Sequence, residues 1–297
     1  MRPRRSAPWA PATGVMAVMA LLVLAGCGAG VERLAPEELA WQAAQRSEAA
    51  GTGEFTLRWT DNAVPDDPST LEVTGRYDGP RRLIETHTEP EPLDMDATGV
   101  DPASIIGPVD VFVEGPWTYT RTLTGPVSTG DRWALLDPVG DDHTVLLRGD
   151  FSVEYGDPRL FFAFLAGMAP GATMAPDDTV GPGVVHVSGH LDLDRAHRLL
   201  PRATWTRLAR QVHFLRDLLG SRGLARDVDA WIDRDGLVRR LRVTFDLDWG
   251  YSDGGPAAGA GDDLVVEVAF SDLGDDPRLE APRGWEVMSP QERLGAP

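Results

Sequence analysis

Apolar and polar residues alternate with a period of two through much of this chain. Phe55, Leu57 and Trp59 interleave with Glu54, Thr56 and Arg58, and Leu71, Val73, Gly75 and Tyr77 keep the same rhythm. Beyond an Asp78-Gly79-Pro80 turn the run 82–86 continues it, and further strands are predicted at 109–114, 118–123, 132–137 and 184–193. Successive side chains of a strand point to opposite sides of its sheet, so a strand buried on one face shows this alternation. The first three segments, joined by short polar turns, predict an antiparallel meander. The clearest unit is 226–248. Its second arm sets Leu237, Leu241, Val243, Phe245 and Leu247 on one side and Arg240, Arg242, Thr244, Asp246 and Asp248 on the other. Asp233-Arg234-Asp235-Gly236 supplies the turn, Gly236 taking the positive φ that hairpin loops require. This hairpin is expected inside the sheet, and Leu264, Val266, Val268 and Phe270 predict a last strand.

Three segments depart from that period. In 36–50, Pro36 and two Glu suit the first turn of a helix, and a thin apolar stripe of Leu39, Ala43 and Ala50 with Trp41 nearby places it on the sheet. Residues 158–168, PRLFFAFLAGM, are apolar nearly all round and predict a short buried helix. In 194–222, Trp205, Leu208, Val212, Leu215 and Leu219 recur at three and four, predicting one amphipathic helix stopped by Gly220 and Gly223. Residues 89–104, with five acids and three prolines, and the Gly/Ala-rich 250–263 are expected as loops. Many strands with few helices imply an α+β layout: one large antiparallel sheet with helices on one face.

The N-terminus reads differently. Arg2, Arg4 and Arg5 precede an apolar run from Val15 to Leu24, which is shorter than the roughly 20 residues of a membrane-spanning helix. Leu24-Ala25-Gly26-Cys27 follows, and Cys27 is the chain's one cysteine, so no intramolecular disulfide forms. This layout resembles the bacterial lipoprotein signal, whose lipobox is matched residue by residue at positions 24–27. The resemblance implies that residues 1–26 are a signal peptide and that Cys27 becomes an acylated N-terminus, carrying palmitate-type chains. Residues 27–35 are then a lipidated tether, 36–285 a single domain and 286–297 a flexible tail. The expected location is the extracytoplasmic face of the cell membrane, with the membrane itself a partner through Cys27.

Charge narrows the partners. The chain holds 28 basic residues, all Arg, against 46 acidic ones, a net charge of −18. Removal of residues 1–26 takes away three Arg, leaving 25 minus 46, or −21. Nucleic acid is excluded as a partner by that balance. One region inverts it: eight Arg lie between Arg195 and Arg226 against one acid, Asp217. A solvated helix face is one reading of that cluster; contact with anionic head groups through Arg202, Arg207 and Arg210 is the other.

No residue pattern points to catalysis. Gly-x-Ser-x-Gly, a phosphate-binding Gly-rich loop and His-Glu-x-x-His are all missing. His186 and His190, four apart on a strand, would stand about 13 Å apart, too far to share one ion. The Asp233 turn has Trp231 and Arg242 where a calcium loop needs carboxylates. No metal, cofactor or enzymatic activity is expected.

The hairpin also carries a family resemblance. Asp229-Ala-Trp231-Ile-Asp233-Arg-Asp235-Gly236, an amphipathic helix before it, and a Val-rich strand with Ser271-Asp272-Leu273-Gly274 after it are similar to the LppX/LprG-type envelope lipoproteins of high-GC Gram-positive bacteria. That family has the LolA/LolB-like lipid-carrier fold. The resemblance implies a strongly curved antiparallel sheet, a half-barrel, with helices across its concave face around an apolar cavity. The implied function is to bind or transfer an acylated lipid, as a monomer and without catalysis. Phe161, Phe164, Leu165, Trp205, Leu208, Val212 and Leu215 then line the cavity. Ordinary core packing would use the same residues, in which case the chain is a cell-envelope scaffold or interaction lipoprotein with a filled core.

Overall fold

The computed structural model describes residues 34–62, 69–88, 108–115, 117–122, 128–136, 157–218, 224–246 and 263–289. Cys27, the acidic loop 89–104 and the Gly/Ala loop up to residue 262 lie outside them, as does Leu247.

Two antiparallel meanders build the sheet. The first runs β1 (Thr52–Asp61), β2 (Ser69–Asp78), β3 (Leu83–Thr88), β4 (Val109–Glu114), β5 (Trp117–Thr122) and β6 (Trp133–Leu136), each pairing with the next. The second runs β7 (Thr173–Pro176), β8 (Val185–His190), β9 (Leu224–Ile232), β10 (Val238–Asp246) and β11 (Asp263–Ser271). They join where β1 pairs with β11, Phe55 opposite Phe270 and Leu57 opposite Val268. A two-residue strand, β12 (Val287–Met288), adds to β6 in parallel, completing an open, curved twelve-stranded sheet. The expected α+β class, the meander and the interior position of the hairpin all hold. Gly236 sits in the turn at φ +75°.

Among the described residues four helices lie on one face: α1 (Pro36–Ala50), α2 (Arg159–Leu165), α3 (Leu193–Leu199) and α4 (Arg202–Leu218). α1 matches its predicted span and buries Leu39, Ala40, Ala43, Ala44 and Ser47, small side chains that let it lie close against α2 and strands β8–β10. The Ser47 hydroxyl accepts the Val238 N–H at 2.8 Å. α2 is buried on all sides, as its composition predicts.

Two expectations are corrected. The single helix over 194–222 is two, because Pro201 follows Leu200, whose extended backbone (φ −81°, ψ 144°) is the conformation a residue before proline prefers. In β10 the inward phase slips: the ladder shifts between Val238 and Arg240, so Val238 is fully buried alongside Leu241, while Leu237 is half-buried. β7 is a strand that no alternation announced, since all four of its residues are exposed at the sheet edge. Beyond residue 285, β12 lies within the segment expected to be a flexible tail.

Register shows that the sheet carries two cores on opposite faces. The helix face continues from Phe270 through Phe55, Gly75, Thr86, Val111 and Thr120 to Ala134. Gly75 has no side chain there because a Cβ would stand 2.6 Å from the Phe55 ring. The second core is on the other face of β3–β6. Leu83, Phe112 and Trp133 bury Leu279 with Tyr119, Ala281 and Val287, so the C-terminal stretch crosses this half as a strap.

Candidate functional site

The expected cavity residues belong to the helix face and the helices on it. α2 inserts its aromatic side chains between the sheet and the other helices. Phe162 stacks on Phe270 at 4.6 Å between centroids, and Phe164 meets Phe245 edge-on at 6.1 Å and Phe161 at 6.1 Å. Phe161, Phe164, Leu165 and Leu208 are at most 1% exposed. Trp205 and Val212 are half-buried, and the side chain of Leu215 lies outside the described ones. The structure therefore brings Phe161, Phe164, Leu165 and Leu208 together as packed core, with Trp205 at its margin, stacked on His197 at 4.7 Å.

Helix packing is concentrated on β8, β9 and β10. Among the described residues the same face of β3–β6 lies outside that main contact; it carries Ile84, Val111 and Ala134, each at most 8% exposed, and the half-buried Val113 among the hydroxyls of Thr86, Thr118, Thr120 and Thr122. Its wall is small and mildly polar where the other half is bulky and aromatic.

Between the two regions stands a charged node that the sequence reading passed over. The Asp157 carboxylate, 5% exposed, accepts the Arg159 backbone N–H at 3.1 Å and both Nε and Nη2 of the same side chain at 2.8 Å. Arg207 donates to it as well. Burial pushes the Asp157 pKa up, but the two guanidinium groups outweigh it and hold the carboxyl below the usual range. Arg207, expected among the head-group candidates, is thus turned inward to an ion pair. Arg202 is exposed and has no carboxylate partner among the described residues; the side chain of Arg210 lies outside them. Arg159 also stands 6.0 Å over the ring of Tyr77, whose buried hydroxyl has no hydrogen-bond partner among the described residues. Burial raises that phenol far above its ordinary pKa, so it stays protonated and neutral. Asp157 immediately before Pro158-Arg159 was the available signal for this node.

The opposite face is wet and ionic. A groove of about 450 Å³ is bounded by Glu54, Thr56, Thr74, Arg76, Glu85, His87, Asp110 and Ser271. Its charges answer one another: Arg76 pairs with Glu85, and Asp110 accepts from His87 and Arg121 at 2.6 Å each. Ser271 and His87 stand three strands apart, about 14 Å, so they form no nucleophile and base pair. His186 and His190 do not converge either. Each faces its own aspartate, Asp229 at 2.9 Å and Asp227 at 2.6 Å, and His186 stacks on Trp231 at 4.4 Å. Among the described residues no group of three metal-ligating side chains is found.

The chain is similar to LppX-type and LolA-type structures. LppX, a lipoprotein of Mycobacterium tuberculosis, aligns over 82% of this chain and 99% of its own at 11% identity, with a TM-score of 0.39. A DUF1329 family protein from Desulfovibrio piger aligns over 83% and 96% at 10% identity and TM-score 0.31. A LolA superfamily protein from Nitrosomonas europaea aligns over 82% and 96% at 11% identity and TM-score 0.28. No family model and no curated protein matches the chain. At TM-scores below 0.5 the likeness carries no function to this chain, and its architecture rests on the strand order and register above.

Proposed function

We propose that this chain is a lipid-anchored extracytoplasmic protein that binds an acylated lipid against the helix face of its sheet and holds it without chemical change. The observation that carries this reading is that the apolar face runs on past the main helix contacts, with Ile84, Val111 and Ala134 there out of water at 8%, 7% and 4% exposed. Helices pack on β8–β10, while Ile84, Val111, Val113 and Ala134 extend the same apolar surface across β3–β6. Because the side chains there are already out of water, the gain would come from the acyl chains' own apolar area, about 25 cal/mol per Å². Phe161, Phe164, Leu165 and Leu208 form the inner end of the site, with Trp205, Val212 and Leu215 along α4. The anchor is Cys27. Arg202 and Arg210 meet the head group, and Arg207 does so when released from Asp157.

A second reading has its own support. The interlocked rings of Phe162, Phe270, Phe164 and Phe245 suit a scaffold lipoprotein with a filled core. Native mass spectrometry of protein extracted from membranes separates the two. A carrier retains lipid that is lost on Val111→Trp or Leu208→Trp, with the circular dichroism of the fold intact. A folded wild-type chain that emerges free of lipid refutes the carrier and leaves the scaffold.

A further inference from the structure

The corner between α3 and α4 is chemically unlike the rest of the molecule. Four large apolar side chains are exposed among the described residues: Trp117, Met174, Leu199 and Trp285. Trp285 lies beside Glu286 and the Arg283–Glu280 pair, Trp117 is paired with Glu114 across the ladder, and Met174 has Thr173 and Ala175 beside it. Leu199 alone is set among cations. It is 43% exposed at the end of α3, where Pro201 stops the helix and leaves Leu199 and Pro201 outside while Leu200 turns in. Arg198 stands on one side, reaching Asp192 only at 3.8 Å with two thirds of its side chain in water. Arg202 stands on the other, exposed and without a carboxylate partner among the described residues. From Arg195 to Arg207 there is no acid at all, in a chain of net charge −18. Behind the tip, Trp205 is half-buried under His197, an amphipathic ring at the depth where apolar and wet surroundings meet.

We propose that this corner docks the protein on an anionic bilayer surface, Leu199 and Pro201 entering the interface and Arg198 and Arg202 meeting the lipid phosphates. An anionic membrane repels the acidic remainder of the chain, so the corner is the part that can approach, and it fixes how the molecule stands on the membrane. One leucine and one proline are too small a patch for a stable protein interface, which needs about 800 Å² from each partner. They are sufficient for interfacial insertion beside two cations. The inference shares Arg202 with the head-group site proposed above but needs no cavity, since a molecule with a filled core would dock in the same way.

The test places an environment-sensitive fluorophore at position 199 of the full chain, through Leu199→Cys with Cys27→Ser, and at the exposed hairpin residue 235, through Asp235→Cys, as a reference. Vesicles of phosphatidylglycerol mixed with phosphatidylcholine should shift the position-199 emission to the blue and leave position 235 unchanged. Vesicles of phosphatidylcholine alone should not shift it. Arg198→Glu with Arg202→Glu should abolish the shift, and 0.5 M salt should weaken it by screening. Equal shifts at 199 and 235, equal shifts with both vesicle types, or a shift that survives the double charge reversal would overturn the proposal. So would a shift of the same size with soluble polyglutamate, which would make the corner a polyanion site instead.

Discussion

On β8–β11 the apolar face of the sheet meets helices, whereas on β3–β6 the opposite face meets a length of extended chain that ends in a two-residue strand. The two covers solve different problems. A helix satisfies its own backbone and brings a full apolar side, so α2 can bury every residue from Leu160 to Leu165. An extended strap crossing a sheet face has carbonyls with no partner of their own. Here three arginines supply donors: Arg76 to Pro277 O, Arg81 to Leu279 O and Arg132 to Val287 O. The helix half is held by packing, and the strap half by packing plus charged donors aimed at peptide oxygens.

A pair of truncations tests that division most severely. Phe164→Ala empties a site that is 0% exposed, between Phe161 and Phe245, and should cost about 4 kcal/mol in denaturant unfolding. Leu279→Ala, at 2% exposed, should cost about 2–3 kcal/mol, because the strap can partly collapse onto Trp133. Hydrogen exchange should then quicken in the amides of 277–289 and β3–β6 and stay slow in α2 and β9–β11. A Leu279→Ala protein that loosens α2 as much as its own strap would show one cooperative core and break the comparison.

The charged node between the halves comes next in size. Asp157→Asn leaves Arg159, with 23% of its side chain exposed, short of its counter-charge, while Arg207, at 51%, can turn to water. The loss should be about 2 kcal/mol at neutral pH, below the figure for a fully buried pair. Its pH dependence has a definite sign. The folded-state pKa of Asp157 is depressed, so its contribution is full above the unfolded value near 4 and is lost as pH falls through the folded one. Wild type and Asp157→Asn should therefore differ by a constant amount from pH 5 to 8 and converge below about pH 4. Unfolding curves that stay parallel down to pH 2 would show the carboxylate to be idle.

How much of this was legible beforehand follows from the range of the forces involved. The meander, the hairpin and α1 are local patterns, and each was readable from its own residues. The strap was not. Leu279, Ala281 and Val287 are isolated apolar residues in a polar, Pro-rich stretch, and only the outward Leu83, Phe112, Tyr119 and Trp133 across the sheet give them a purpose. A signal did exist. Phe112 and Trp133 break the rule that a one-sided strand keeps its large rings on a single face. The break at Pro201 was also written in the sequence, but the helical spacing of Trp205 through Leu219 concealed it. The candidate site divided in the same way: Phe161, Phe164, Leu165 and Leu208, expected along a lipid cavity, are buried side chains of the helix-face core. Arg207 looked like surface charge because its partner, Asp157, is fifty residues away.

The wet face between the two cores gives the smallest effect and the sharpest control. By register, Asp229, Arg242, Glu267, Arg58 and Glu72 form one row across β9, β10, β11, β1 and β2, alternating in sign. Arg58 holds Glu72 at 2.7 Å and Arg242 holds Glu267 at 2.9 Å. Yet 53% of the Arg58 side chain and 46% of Glu72 are in water, where screening and side-chain entropy cancel most of the Coulomb gain. Arg58→Met keeps the aliphatic stem on the strand and removes only the charge. It should change stability by no more than about 0.5 kcal/mol, with the difference shrinking further in 0.5 M salt. A loss above about 1.5 kcal/mol that persists in salt would mean that the row acts as one unit. The sheet would then be stiffened across its middle by charge, and the independence of its two halves would have to be given up.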